Sequence, residues 1–197
     1  MFSSSPFIEP ARRVPVWLNL VGFQGLWWLT ILTVAEGQVW IGPIAVLALA
    51  ALQIALLPDR GAELRAWLLV ALPGFLLDSA LAAGGAFGFP QDPWLLGVLP
   101  PWMAALWLSF AMTVRHGLAW LHGRPVLAAA FGLLGGPATY LAGSKFSALS
   151  IETPQALWLS ALGSTWGLAC SLWFLRPLGK AVRAGAAAEL ALRGSKG

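Results

Sequence analysis

The sequence predicts an all-α, polytopic membrane protein, a bundle of six transmembrane helices with both termini on the cytoplasmic side. Three observations carry that prediction. Six long apolar stretches, separated by short polar breaks, fill nearly all of the 197 residues. Hydrophobic residues make up 58% of the chain and charged residues only 10%, where soluble domains carry about 25% charged residues. The basic residues gather at the ends of the apolar stretches rather than along one face. A formal charge of +4 is therefore read as a topology signal and not as a nucleic-acid footprint.

A membrane-spanning helix needs about 20 mostly apolar residues. The first candidate, Val16–Ala35, follows Arg12 and Arg13 and so resembles a signal sequence at its start. A signal core runs about 7–15 apolar residues. This stretch is longer and holds Trp27 and Trp28, so it is expected to stay as a span even though Thr33 and Ala35 fit a cleavage site. Val39–Leu57 follows a tight polar turn at Glu36-Gly37-Gln38. Ala66–Ala83 follows Pro58-Asp59-Arg60-Gly61, which joins helix breakers to charge. Pro101–Leu121 comes after a Gly- and Pro-rich loop over Gly84 to Pro100 that holds Asp92. Val126–Gly143 begins after His122-Gly123-Arg124-Pro125, with proline at an early helical position. Gln155–Leu175 closes the set after a loop from Ser144 to Pro154. The chain divides into an N-terminal tail (1–15), a transmembrane domain (16–175) and a basic C-terminal tail (176–197). The C-terminal tail reads equally as a short amphipathic helix through Ala186, Leu190 and Leu192 or as a solvated segment.

With the N-terminus inside, Arg12, Arg13, Arg60, Arg65, Arg115, Arg124, Arg176, Lys180, Arg183, Arg193 and Lys196 lie on the cytoplasmic side or near it, and only Lys145 lies outside. The positive-inside rule then orients the bundle, and a bacterial inner membrane is the expected location. Tryptophans agree with the boundaries. Trp17, Trp67, Trp120 and Trp173 fall near cytoplasmic ends, and Trp40, Trp94, Trp102 and Trp158 near outer ends, where the indole keeps its N–H wet. Trp27, Trp28, Trp107 and Trp166 lie deeper and read as packing residues.

Polar residues inside hydrocarbon need a reason. At a rise of about 1.5 Å per residue, Asp78, Thr139, Tyr140, Ser164 and Thr165 fall at similar depth in the outer half. That layer is a candidate functional cluster. Asp78 reads either as a proton or cation site with Tyr140 and Thr139 as partners, or as a structural clamp between spans three, five and six. A second layer, Asn19, Gln24, Gln53, Arg115 and His116, lies toward the cytoplasmic end. Arg115 is expected to snorkel to the headgroups. His116 shares a face with Ser109, Thr113 and Trp120 and is expected to bond Asn19 or Gln53. Asn19 and Gln24, five residues apart, point to different sides of their helix. Span five carries a packing signal in Gly132, Gly135, Gly136 and Gly143, with Pro137 expected to kink it. It reads as a close helix crossing or as a broken transporter helix.

Catalytic patterns are weak. One cysteine, Cys170, excludes an intrachain disulfide. Two histidines, His116 and His122, do not make a metal or haem set. No paired carboxylates share a span and no phosphate loop occurs. No cofactor, no metal and no catalytic residue is expected. Membrane lipid is the expected partner, nucleic acid is not, protein partners stay unknown, and exposed glycine faces leave a homo-oligomer open.

Four segments, Asn19-Leu20-Val21-Gly22-Phe23-Gln24-Gly25-Leu26-Trp27, Trp40-Ile41-Gly42-Pro43, Leu76-Leu77-Asp78-Ser79 and Gly135-Gly136-Pro137-Ala138-Thr139-Tyr140-Leu141-Ala142-Gly143, occur in an order and spacing that resembles an uncharacterised bacterial family of small inner-membrane proteins, a domain of unknown function. The resemblance covers roughly residues 16 to 175. Family members lie beside genes resembling cyclopropane-fatty-acid synthases, which implies membrane-lipid or envelope work. No activity carries over. The expectation is a non-catalytic membrane component of such a pathway. The alternatives are a small transporter or channel using Asp78, and an intramembrane enzyme acting on lipid.

Overall fold

The computed structural model describes residues 14–90 and 99–175. The expected C-terminal amphipathic segment, nearly all of the N-terminal tail, Asp92 and Trp94 lie outside the described residues. The described chain is mostly helical. Its helices are α1 (Val16–Ala35), α2 (Ile41–Leu56), α3 (Arg60–Ala83), α4 (Pro101–Val114), α5 (Pro125–Lys145) and α6 (Gln155–Trp173), with a short 3₁₀ turn at Ala119–Leu121.

Three of these, α1, α3 and α5, are long and apolar enough to cross a membrane. α2 and α4 are apolar but have only 16 and 14 residues, or about 24 and 21 Å. The expectation of six full-length spans is thus met in helix number but not in helix length.

Two boundaries differ from the sequence expectation by six residues or more, each for a local reason, and the others by two residues at most. α3 starts at Arg60, six residues before the expected Ala66. Asp59 caps it, its carboxylate accepting from the Ala62 N–H at 3.1 Å, so the charged segment becomes the first turns of the helix. α4 stops at Val114 instead of running to Leu121. Beyond it the Gly117 N–H donates to the Asn19 side-chain oxygen at 2.9 Å. A Cβ at Gly117 would collide with Asn19 and Leu20, so only glycine lets the turn approach α1 this closely. His116 and Trp120 therefore do not share a helix face.

α4 is the hub. It packs against α1, α2 and α3, while α5 packs on α6 and α6 joins α3. Ten of its 14 residues are buried, as expected of a helix surrounded by others. The remaining helices turn leucines outward: Leu47 on α2, Leu68 on α3 (62% exposed), Leu134 on α5 (71%) and Leu168 on α6 (64%).

Helices alternate in direction. Contacts of Asn19 with Gly117, Gln53 with Met112, Glu63 with Arg115, and Gly123 with Phe174 gather one set of helix ends. Arg60, Arg65, Arg115 and Arg124 all sit at this arginine end. At the other end Phe87–Gly88 pairs antiparallel with Ser150–Ile151, Phe87 opposite Ile151. This two-residue ladder ties the loop after α3 to the loop after α5, and neither strand was expected from the sequence.

The glycines of α5 meet α6, as the small-residue pattern implies. A Cβ at Gly132 or Gly136 would strike Trp166. The complementary pair, Gly163 and Gly167, lies on α6 against Leu133, Pro137 and the Ala129 carbonyl. Gly143 faces Leu149, but Gly135 faces open space. α5 continues unbroken through Pro137, so it is not a broken helix of the transporter kind.

Candidate functional site

α3 brings Gly74 and Asp78 to one face, four residues apart. Gly74 leaves room for the Trp107 ring, which a Cβ there would penetrate. The Trp107 indole N–H then donates to Asp78 Oδ2 at 2.7 Å. The Tyr140 hydroxyl, from α5, donates to the same oxygen. One carboxylate oxygen thus ties α3, α4 and α5 together. Asp78 is 1% exposed, and Trp107 and Tyr140 are also buried. Asp78 Oδ1 is buried with no hydrogen-bond partner.

The ladder closes over this site. Phe87 packs on the Tyr140 ring at 5.1 Å between centroids, and Phe89 meets Trp102 edge-on at 5.7 Å. Behind the site, Trp107 stacks on Trp166 at 4.5 Å. These rings fix the rotamers of both donors to Asp78.

Asp78 and Tyr140 were expected together and are together. Thr139 lines the adjacent cavity, but its hydroxyl donates to the Gly135 carbonyl of its own helix at 2.8 Å. Ser164 is exposed and Thr165 bonds the Leu162 carbonyl, so neither reaches Asp78. The sequence reading missed Trp107 as a polar partner. Its signal was the Gly74-x-x-x-Asp78 spacing, which opens a slot for a large ring one turn before the acid.

The second expected cluster divides. Asn19 donates to the Met112 carbonyl at 3.2 Å, and Gln53 reaches the same carbonyl at 3.5 Å. Both serve the end of α4, where helix carbonyls lack intrahelical donors. Gln24 is exposed on α1 and takes no part. Arg115 and His116 instead converge on Glu63, with Nη1 and Nε2 at 3.0 and 3.2 Å from Oε1. Glu63 is 3% exposed and His116 4%. The expected partners of His116, Asn19 and Gln53, are therefore replaced by Glu63, which also pairs with Arg115. Glu63 lies between the expected break at Pro58-Asp59-Arg60-Gly61 and the expected span start at Ala66, and was missed. Among the described residues no group of three or more His, Cys, Asp or Glu is arranged to hold a metal ion.

The tryptophan assignment also changes. Trp17, Trp40 and Trp120 are exposed as boundary residues should be, but Trp67, Trp102 and Trp173 are buried. Trp102 forms the wall of a cavity of about 540 Å³, within the size range of small-molecule sites. The cavity runs between α1 and α5, with α4 and Trp166 as its back and Asp78 in its wall. α1 and α5 meet near the ladder end, where Trp28 packs edge-on against Phe146 at 5.2 Å. His116 does not line it.

Residues 16–172 match the model of a family described as a protein of unknown function, DUF2878. The chain belongs to the DUF2878 family. In this family member the matched span runs from the first residue of α1 to the penultimate residue of α6, so it takes in Asp78, Tyr140, the cavity and the Glu63 cluster. No curated protein and no solved structure matches the chain.

Proposed function

We propose that this DUF2878 protein crosses the bacterial inner membrane six times, with both termini cytoplasmic, and serves a membrane-lipid process by holding an acyl chain without transforming it. Three helices of spanning length and the outward leucines of α2, α3, α5 and α6 support the membrane setting. The short α4 fits because it is central and largely screened from lipid by its neighbours. The arginine end supports the orientation, with Lys145 at the opposite end of α5.

The observation that carries the function is the cavity of about 540 Å³ between α1 and α5. Its wall is mainly apolar, its open side lies between two lipid-facing helices, and its length along α1 from Leu20 to Ile31 is about 16 Å. A bilayer chain entering sideways would meet Gln24 as the exposed amide of α1 in the cavity lining. Native mass spectrometry of the protein purified from its membrane tests this. The wild type should retain lipid. Gly135→Leu should not, because the new side chain fills the cavity where a Cβ meets nothing within 4 Å. Equal lipid in both would remove the cavity from the function.

A second reading, a proton-coupled carrier, is favoured by one observation: a single carboxylate with an unpartnered oxygen beside the cavity. Proteoliposome flux of wild type and Asp78→Asn tests it. A flux unchanged by the substitution removes Asp78 as a coupling site.

A further inference from the structure

Gln24 stands near the middle of α1, eight residues past Val16 and eleven before Ala35, or about 12 and 17 Å from the two helix ends. Its amide is exposed and makes no hydrogen bond with the described residues. Hydroxyls in these helices satisfy themselves locally: Ser160 donates to the Ala156 carbonyl and Thr139 to the Gly135 carbonyl. An amide carries two donors and an acceptor, and acyl tails offer a partner to neither. Gln24 shares one face of α1 with Trp17, Val21, Gly25, Trp28 and Leu32, at i, i+4, i+7, i+8, i+11 and i+15 counted from Trp17. All six are exposed. A Cβ at Gly25 would meet nothing within 4 Å, whereas one at Gly42, Gly74, Gly132 or Gly136 would collide with a neighbouring helix. Glycine weakens a helix interior relative to alanine, and the chain's own packing does not call for it at position 25. A glycine there lets a second helix come close beside the amide.

We propose that this face of α1 pairs with the same face of a second copy of the chain, with Gln24 opposite Gln24. The proposal rests on the membrane-crossing reading above and not on what fills the cavity. Two copies inserted in the same direction are related by a two-fold axis along the membrane normal. That symmetry sets each seam residue against its counterpart at the same depth, so the group that meets Gln24 is the other Gln24. Each amide then donates to the other's carbonyl, and the two bonds are reciprocal. Gly25 keeps the backbones close at the level where the amides meet. Trp17 and Leu32 extend the seam toward the two ends of the helix. The outward leucines of α2, α3, α5 and α6 gain nothing from a partner that lipid tails do not already give, which singles out α1. Val21 and Gln24 also line the cavity, so the partner's α1 stands along its edge.

The test is subunit counting in liposomes. The full chain, labelled with a fluorophore at Lys145→Cys while Cys170 stays buried, is reconstituted over a falling protein-to-lipid ratio and scored by photobleaching steps. With Gln24 in place it should pass from dimer to monomer as the ratio falls. Gln24→Leu should need about tenfold more protein for the same dimer fraction, a ratio equal to about 1.4 kcal/mol. Gln24→Asn keeps an amide and should recover part of that loss. Gly25→Leu should abolish the dimer, and the open space at that position lets the variant fold. In native membranes treated with copper phenanthroline, Val21→Cys should form an intermolecular disulfide and Leu134→Cys, on the outward face of α5, should not. A protein that is monomeric at every ratio, a Gln24→Leu dimer as stable as the parent, or a crosslink at Leu134→Cys alone would each overturn the proposal. So would a monomer in which Gln24→Leu loses co-purified lipid, since the amide would then serve the cavity's occupant. None of these outcomes touches the acyl-chain reading, which Gly135→Leu tests separately.

Discussion

Replacing Asp78 by leucine removes one acceptor and orphans two donors, the Trp107 indole and the Tyr140 hydroxyl, both in side chains with 4% exposure. A buried donor left unsatisfied costs about 1–3 kcal/mol. Hydrogen bonds between membrane helices average nearer 0.6 kcal/mol, because the separated helices find other partners in the bilayer. The leucine also removes the desolvation penalty of a buried carboxylate. Two orphaned donors, reduced by these offsets, give an expected loss of about 2 kcal/mol for Asp78→Leu. Asp78→Asn should stay within about 0.5 kcal/mol of wild type, because an amide oxygen has two lone pairs and can accept from both donors. Reversible unfolding in mixed SDS and dodecylmaltoside micelles, followed by tryptophan fluorescence, measures the series. The reasoning fails if leucine is tolerated as well as asparagine. It also fails if asparagine is as damaging as leucine, since the charge and not the shared acceptor would then hold the three helices.

Three further outcomes are expected. Glu63→Ala should destabilise by about 3–5 kcal/mol, as a buried pair broken from one side does; a variant as stable as wild type in the same micelle titration would show that Arg115 and His116 draw nothing from Glu63. Gly132→Ala drives a methyl into the Trp166 carbonyl and should cost about 1–3 kcal/mol, whereas Gly135→Ala should lie within about 0.5 kcal/mol of wild type; equal melting of the two would contradict the close α5–α6 seam. In intact cells a membrane-impermeant maleimide should label Lys145→Cys and not Arg60→Cys, with little background because Cys170 is buried; the reverse pattern would invert the proposed topology.

Helix starts were legible where a proline or a turn marks them. α1 begins at Val16 after Pro15, α4 at Pro101 and α6 at Gln155 after Pro154, because proline fits the first turn and resists the interior. Charge misled the reading of α3. A span read by apolarity ends at Arg65, but Glu63 meets Arg115 and His116, more than fifty positions away in the chain, and so lies inside a helix that continues past it. The end of α4 was hidden for a similar reason. Residues up to Leu121 are apolar enough to continue, yet Asn19 of α1 offers an acceptor to Gly117 and competes with the helix. In the site, depth along each helix identified Asp78 with Tyr140. Depth says nothing about azimuth, so Ser164 and Thr165 were grouped with Asp78 although they face elsewhere.

The polar groups inside this protein are arranged around α4. Toward the ladder end Trp107 donates to Asp78 of α3, which also accepts from Tyr140 of α5. The Met112 carbonyl takes Asn19 of α1 and Gln53 of α2, and just past the helix Arg115 and His116 take Glu63 of α3. Four helices, α1, α2, α3 and α5, are thereby pinned to one short helix, α5 through Asp78, and α5 and α6 are locked to each other by glycines on both sides. α1 and α5 are each held from behind, and they meet each other near the ladder end, where Trp28 of α1 packs edge-on against Phe146 at the end of α5 at 5.2 Å. The cavity runs between them. Gln24 of α1 lines that cavity and is exposed, and a polar group on a helix apolar enough to cross a membrane ordinarily turns toward a polar partner.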